Sequence, residues 1–280
     1  MGKGLLDPKV DFVFKNIFGS PNHPEILISF LNATLKAKKK IVNVDIKKTD
    51  IEKQYIEDKY SRLDVKATTS NDEIINIEIQ LKNENNMVKR SLYYLSKMYE
   101  EQLNEKEDYS KLVRTVCINI LNFKYLKTDN FHTGYRFKEI ESNEELTDIM
   151  EVHFIEIPKL QDSSDEKDML VAWTEFLKDP ESEKVRGLEL SIEEIRQAKD
   201  ELIRMSNDST QRELYDMRAN SLRDKMSELN AAERKGIEKG REEGRKEEKI
   251  KIARNMKLSG IDTNTIAKIT NLSEDEIDKL

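Results

Sequence analysis

Two acids lie in neighbouring segments where apolar and polar residues alternate. Residues 60–67 read YSRLDVKA and residues 74–82 read IINIEIQLK. This alternation predicts two strands, each with one apolar face and one acid, Asp64 or Glu78, on the other face. The intervening TTSND is typical of a turn between strands. If the strands pair, Asp64 and Glu78 face the same side of a sheet.

Two carboxylates on one sheet face repel each other, and a hard divalent cation relieves that repulsion. Such a cation takes oxygen ligands, which makes Mg²⁺ the expected ion. Mg²⁺ held by few carboxylates keeps water and phosphate oxygens as its other ligands, so it activates a water and clamps a phosphodiester. Gln80 follows Glu78 on the same face, where it can hydrogen-bond the attacking water or a phosphate oxygen.

A plainer interpretation of the same acids stays open. A Glu on the polar face of a strand is usually exposed to solvent. Asp64 alternates with Arg62 and Lys66, which is also the pattern of a charge ladder on a protein surface.

The rest of the chain predicts the elements that would position these acids. An N-terminal α/β part extends to about residue 160, and an all-helical part follows. Helices are expected over 7–19, 24–36, 87–103, 169–177, 192–205 and 210–257. Further strands are expected over 41–46, 113–123, 135–140 and 151–157.

Composition excludes several classes of protein. The chain has 280 residues, 37% of them charged, and a single cysteine. One cysteine rules out a disulfide framework and a cysteine-based zinc site. No apolar run approaches the roughly 20 residues of a membrane span, and the first residues show no export signal. We therefore expect a cytoplasmic protein with no membrane partner.

The net charge of −7 conceals an uneven distribution. Residues 139–168 contain eleven acids and two lysines, whereas residues 36–48 contain six lysines and one acid. Residues 231–257 contain ten basic and six acidic residues. Local basic patches matter more for phosphate binding than the total charge does, although each patch is also compatible with an ordinary solvated surface.

The chain resembles the Rpn family of recombination-promoting nucleases, whose members are also named transposases, within the PD-(D/E)XK nuclease superfamily. The resemblance covers nearly the whole chain and includes the Lys-Gly and Glu-Gly steps of its tail. It is carried by the segments Asp11-Phe12-Val13-Phe14-Lys15, Phe18-Gly19, Phe30-Leu31-Asn32, Arg62-Leu63-Asp64-Val65, Asn76-Ile77-Glu78-Ile79-Gln80 and Arg90-Ser91-Leu92-Tyr93-Tyr94.

The resemblance implies an α/β restriction-endonuclease-like fold, in which helices flank a mixed sheet, over residues 1–160. It implies an active site of Asp64, Glu78, Gln80 and Asp11, with Asp64 and Glu78 binding Mg²⁺, Mn²⁺ or Ca²⁺. Gln80 stands where many superfamily members have Lys, and a neutral amide supplies no positive charge.

Four basic residues are candidates for contacting DNA, namely Lys15, Lys66, Lys82 and Arg90. Lys66 and Lys82 share the strand faces of the two acids and would compensate for the missing lysine. Lys15 either reaches a phosphate or pairs with Asp11 one helical turn earlier. Arg90 lies in an aromatic-rich helix, where the spacing is also that of a packed core.

The second half divides into a helical extension over 161–209, a long charged helix over 210–257 and a small helix-turn-helix-like end over 258–280. Gly236, Gly240 and Gly244 recur every four residues, which favours either close approach of another helix or a loose linker helix. Gly260 is expected to end a helix there, and Ser273-x-x-Glu276 is expected to form a capping box at the start of the last helix. That last helix is acidic, so a structural or self-association role is as good an interpretation of this end as DNA reading. We expect a homodimer through the C-terminal helices.

The function expected from all these features is metal-dependent DNA endonuclease activity that promotes recombination. The alternative is a catalytically inactive DNA-binding or scaffold protein that retains the nuclease fold.

Overall fold

A computed structural model describes residues 4–37, 39–47, 64–165 and 167–280. The chain forms two compact units, Met1–Ala219 and Asn220–Leu280. The finer divisions expected from the sequence, at residues 160, 209 and 257, stay predictions.

The first unit contains a six-stranded mixed sheet in the order β1-β2-β3-β4-β6-β5. β3–β4 and β4–β6 are parallel pairs, and the other pairs are antiparallel. The strands are β1 (Val44–Lys47), β2 (Val65–Thr69), β3 (Ile74–Gln80), β4 (Thr115–Leu121), β5 (His132–Lys138) and β6 (Glu145–Glu156).

Helices cover the sheet, as the expected fold class requires. Those of the first unit are α1 (Asp11–Phe18), α2 (Pro24–Leu35), α3 (Met87–Glu100), α4 (Met169–Lys178), α5 (Glu183–Glu189) and α6 (Glu193–Asn207). α7 (Ser209–Leu258) begins in this unit and continues into the second. The mixed sheet with flanking helices confirms the predicted fold.

An aromatic cluster joins α1, α2 and α4 into one core. Phe18 stacks on Phe14 with ring centroids 4.5 Å apart, and it meets Phe30 and Trp173 edge-on at 5.4 and 5.3 Å. All four rings are buried. Edge-to-face aromatic pairs contribute about 0.5–1.5 kcal/mol each beyond the area they bury, so this cluster fixes α1 against its neighbours.

Helix α3 packs on the sheet face that carries the polar residues of β3. Met87 and Leu95 of α3 form a buried cluster with Cys117 and Leu121 of β4. Cys117 and Leu121 pair with Asn76 and Gln80 in the parallel β3–β4 register, so all four share one face. The face predicted to be polar is therefore covered by a helix.

Several predicted boundaries are wrong. α1 begins at Asp11, not in the turn that starts with Asp7 and Pro8, and β1 begins at Val44, three residues later than expected. β3 ends at Gln80, so Lys82 lies beyond the strand. Residues 60–63 of the predicted strand lie outside the described residues, and β2 extends to Thr69.

The acidic segment expected to be a loop is largely strand. β6 begins at Glu145 and pairs with β5 in a hairpin, with Lys138 opposite Glu145 and Phe137 opposite Thr147. Basic residues of β5 offset the acids of β6 there, and Asn143 takes the positive φ of 60° that the turn requires. Helix α5 was not predicted because its seven residues are too few for a clear period.

The second unit ends in two short helices, α8 (Thr263–Thr270) and α9 (Glu274–Asp278). The expected stop at Gly260 is confirmed, with a φ of +79° that other residues rarely adopt. The predicted capping box is also present, because Ser273 and Glu276 exchange hydrogen bonds at the start of α9. A small core holds the unit together, formed by Ala253, Ile266, Leu272 and Ile277.

Within the described part of the chain, no helix is both long and apolar enough to cross a membrane.

Candidate active site

The pairing of β2 with β3 sets the two predicted acids opposite each other. Val65 pairs with Ile77 in an antiparallel register. One residue further along, Asp64, which comes just before β2, lies opposite Glu78 of β3. Residues opposite each other in such a pair point to the same face, with Cβ atoms about 4.5–5.5 Å apart. The structure therefore brings Asp64 and Glu78 together as the alternation predicted.

Both acids are buried rather than exposed. Glu78 is 1% exposed and Asp64 is 8% exposed, and α3 covers the same sheet face at Cys117 and Leu121. The interpretation of these acids as a surface charge ladder is therefore wrong. Buried carboxylates need a compensating partner, since the loss of water around an ion costs several kcal/mol.

Glu78 has one cationic partner and one unsatisfied oxygen. Arg90 of α3 donates from Nε to Oε2 of Glu78 at 3.1 Å. Oε1 of Glu78 and Oδ1 of Asn76 are buried and have no hydrogen-bond partner among the described residues. Burial raises the pKa of Glu78 to about 7, although Arg90 acts against this rise and Asp64 adds to it.

The side chain of Asp64 binds the backbone of β3 at the point where the pairing of β2 with β3 ends. Its Oδ2 accepts the backbone N–H of Ile79 at 2.8 Å. Burial raises the pKa of Asp64 to about 6, against the effects of that hydrogen bond and of Lys15, and the charge of Asp11 adds to the rise. For both acids burial is the main cause of the raised pKa, and the nearby cations offset it only in part.

Helix α1 brings two more predicted residues to the edge of the pair. Asp11 and Lys15 both act electrostatically on Asp64. Asp11 forms an ion pair with Arg218 of α7, from Oδ2 to Nη1 at 3.0 Å. Arg218 could not be predicted from the sequence pattern, because it lies 207 residues from Asp11.

Three more residues were predicted for this site, namely Gln80, Lys66 and Lys82, and they lie in different places. Gln80 is half-buried at the end of β3, on the face of Glu78. Lys66 points toward Glu101, its Nζ being 3.8 Å from Oε2, beyond the end of α3. Lys82 lies in the segment between β3 and α3. Lys66 and Lys82 were both expected to lie on the strand faces that carry the acids. Lys82 does not lie on that face, because β3 ends before it.

Arg90 contacts the site rather than packing in a core. Its guanidinium carbon also lies 5.3 Å from the centre of the Tyr94 ring, a distance typical of a cation–π contact. Tyr94 itself is buried, whereas Tyr93 is half exposed.

The oxygen donors of this site fit a hard divalent cation. The described residues contain no group of three or more His, Cys, Asp or Glu side chains placed to bind a metal, so the two carboxylates would be the protein ligands. Mg²⁺ tolerates this, since it is usually bound through one or two carboxylates and retains several waters. The unpaired Oε1 of Glu78 is the oxygen that such an ion would satisfy.

A second charged cluster lies at the opposite end of the strands. Arg114 bridges Glu73 and Glu151, and Glu151 also accepts from His153 at 2.7 Å. His153 in turn meets His132 at 2.9 Å. Every acid here has a cationic or histidine partner, which indicates a structural network, and the sequence spacing of the histidines did not predict it.

The single cysteine lies in the core. Cys117 of β4 is fully buried beneath α3, and burial raises the pKa of its thiol to about 12. The thiol therefore stays protonated, as expected for a small core residue.

Comparison with known families gives two matches that together cover most of the chain. Residues 8–232 match the family model described as PD-(D/E)XK nuclease family transposase. Residues 246–280 match the Rpn/YhgA-like nuclease family, C-terminal HTH domain. Neither the curated proteins nor the solved structures contain a match.

The raised pKa of Glu78 predicts a stability that falls as pH increases. Below its usual pKa of 4.5 the side chain is protonated in the folded and unfolded protein alike, and its ionisation then opposes folding up to a pH of about 7. Glu78→Gln removes this dependence. Between pH 5 and pH 8, wild-type protein in EDTA should lose roughly 2–3 kcal/mol of unfolding free energy more than the variant does.

Urea titrations followed by the fluorescence of Trp173 measure this difference for the first unit alone, because Trp173 is the single tryptophan. Parallel pH dependences for the two proteins would contradict the assignment of Glu78 as a buried acid with a raised pKa.

Proposed function

The chain belongs to the PD-(D/E)XK nuclease family transposases, and on this basis we propose that it is a metal-dependent endonuclease that hydrolyses phosphodiester bonds of DNA. The observation that carries the proposal is the buried pair of Asp64 and Glu78, opposed across β2 and β3 with Oε1 of Glu78 unpaired. A strand break of this kind is a starting point for recombination, which is the role we assign to the activity.

Each residue of the site has a proposed role in hydrolysis. Asp64 and Glu78 would hold Mg²⁺, or Mn²⁺ or Ca²⁺ in its place, and the ion when bound supplies a Lewis acid and a coordinated water. Gln80 lies on the same face as Glu78, where its carboxamide orients the attacking water or a phosphate oxygen. Asp11 completes the acidic edge from α1.

Positive charge must come from outside the strand, because Gln80 is neutral. Arg90 already contacts Glu78, and Lys15 acts on Asp64. Both are therefore placed to meet a phosphate next to the acids. Lys66 and Lys82 are proposed as outer DNA contacts, and Nζ of Lys66 lies 3.8 Å from Oε2 of Glu101.

A second candidate function has one observation in its favour. Gln80 replaces the charged residue common in the superfamily, and Glu78 is held by Arg90 in the ion pair described above. A protein that kept the fold and lost turnover would bind DNA through this face without cutting it. Plasmid nicking with Mg²⁺, Mn²⁺ or EDTA separates the two proposals, because only a nuclease converts supercoiled plasmid in a metal-dependent way.

The C-terminal unit is proposed as a second DNA contact. Its match to a helix-turn-helix domain supports DNA binding. α9 carries Glu274, Asp275, Glu276 and Asp278, which suits the phosphate backbone poorly. We therefore assign the contact to the basic residues at the end of α7, and keep self-association as the alternative role of α9.

Glu78→Ala should abolish cleavage while the fold is retained. The side chain is a proposed metal ligand, and loss of a residue that merely supports a ligand already costs about 10–100-fold. We expect a decrease of at least about a hundredfold in the nicking rate. Glu100→Ala is the matched control, since Glu100 lies on the exposed side of α3. A Glu78→Ala protein that nicks plasmid at the wild-type rate would show that the site lies elsewhere.

Gln80→Lys should retain cleavage, because it restores the residue that many superfamily members have at this position. The half-buried end of β3 leaves room for the longer side chain. Nicking and metal binding are measured together. Complete loss of nicking with metal binding intact would mean that the carboxamide of Gln80 performs a step that an ammonium group does not.

We also propose a homodimer through the C-terminal helices, which would place two sites on one duplex. α7 has 50 residues and spans about 75 Å at 1.5 Å per residue. Its apolar residues are partly exposed in the described chain, namely Leu214, Met217, Met226 and Leu229. An added Cβ at Gly236, Gly240 or Gly244 meets open space, so no described residue uses the close approach that these glycines allow.

The double substitution Met226→Glu/Leu229→Glu should convert this dimer to a monomer, because it places charge on the apolar stripe of α7. Light scattering after gel filtration measures the mass, and Ser227→Glu is the control on a neighbouring face. A wild-type monomer at micromolar concentration, or a dimer that survives the double substitution, would rule out this interface.

A further inference from the structure

Three residues fasten the start of α7 to the N-terminal segment. They recur every third position, which places them along one side of the helix. Arg212 donates to the carbonyl of Gly4 at 2.7 Å, and the hydroxyl of Tyr215 accepts from the N–H of Asp7 at 3.4 Å. Arg218 is the last of the three and donates to Asp11. Arg212 and Tyr215 thus bind the same stretch of α7 to the N-terminal segment.

This arrangement puts a guanidinium at the rim of the acidic site. Arg218 is bound to Asp11, and Asp11 acts electrostatically on Asp64. The side chains of Arg218 and Asp11 are 60% and 40% exposed, so the ion pair faces solvent. A ligand that reaches Asp11 from solvent therefore meets Arg218.

The contact with Asp11 leaves Arg218 able to bind a second anion. It uses Nη1, whereas a guanidinium carries five N–H donors in a planar fork that matches the oxygens of a phosphate. Asp11, Asp64 and Glu78 would otherwise repel a polyanion, and Gln80 supplies no charge against that repulsion. Cations at the rim are thus required for the substrate of the proposed function to approach.

From this geometry we propose that Arg218 of α7 binds a backbone phosphate of the DNA substrate at the edge of the active site. The inference rests on the proposed nuclease function and adds to it a substrate-binding residue supplied by a helix outside the α/β core. The phosphate takes the donors of Arg218 that Asp11 leaves unused.

The test measures DNA affinity rather than turnover. The fluorescence anisotropy of a short labelled duplex is followed with full-length protein in EDTA and in Ca²⁺, over a series of salt concentrations. Arg218→Ala should weaken binding about tenfold, equivalent to about 1.4 kcal/mol, and should lower the slope of log affinity against log salt by about one. Arg218→Lys should recover part of the affinity.

Two controls separate phosphate binding from other effects of the substitution. Arg204 is equally exposed, at 61%, and also pairs with an acid, Glu201, so Arg204→Ala tests the loss of any exposed arginine. Tyr215→Phe loosens the same stretch of α7 without removing charge. We expect both variants to bind like wild type.

Asp11→Asn tests whether Arg218 acts on DNA or only on Asp11. If Arg218 binds DNA, this variant keeps the cation and does not weaken binding. If Arg218 serves only as the partner of Asp11, Asp11→Asn weakens binding as Arg218→Ala does, and the inference is overturned.

The inference and the proposed function fail in different ways. Equal affinity and equal salt slope for Arg218→Ala and wild type overturn the role of Arg218 even in a protein that cuts DNA. Wild-type protein that binds the duplex but never nicks plasmid contradicts the nuclease and leaves the comparison at Arg218 valid. Wild-type protein that binds no duplex overturns both.

Discussion

Asp64, just before β2, and Glu78 of β3 lie opposite each other and are both buried, and two ionised carboxylates there oppose folding. Much of the first unit serves to hold them despite that cost. The β2–β3 register fixes their separation, the N–H of Ile79 binds Asp64, and Arg90 binds Glu78. The compensation is incomplete, since both carboxyls keep raised pKa values and one oxygen of Glu78 has no partner. A divalent cation would supply what is missing.

The acids at this site are held by arginines from different helices. Arg90 comes from α3 and Arg218 from α7, while the strand position that carries a lysine in many related nucleases is the neutral Gln80. Arg90 and Arg218 would therefore supply the positive charge that Gln80 does not. This distribution of charge is consistent with a site that binds its metal and its polyanionic substrate together, in keeping with the family to which the chain belongs.

The sequence predicted local structure well and tertiary partners poorly. Alternation identified the strands of Asp64 and Glu78, because a strand buried on one face must repeat every two residues. The capping box at Ser273 was predicted to the residue, since its chemistry is confined to four positions. The burial of Glu78 was not predicted, because α3 covers a face that looks polar in the sequence. Arg218 was missed altogether, as its partner lies on another helix far along the chain, and the start of α1 was misplaced because Pro8 is as compatible with a turn as with a helix.

We propose that Asp64 and Glu78 form a binding site for a divalent cation. Crystals grown with Mn²⁺ and measured at a wavelength where manganese scatters anomalously would locate the ion. We predict an anomalous peak within coordination distance of Asp64 and Glu78, with the guanidinium of Arg90 displaced from Glu78. Diffraction data with no peak there, and with Arg90 still bound to Glu78, would show that these two acids do not bind the ion.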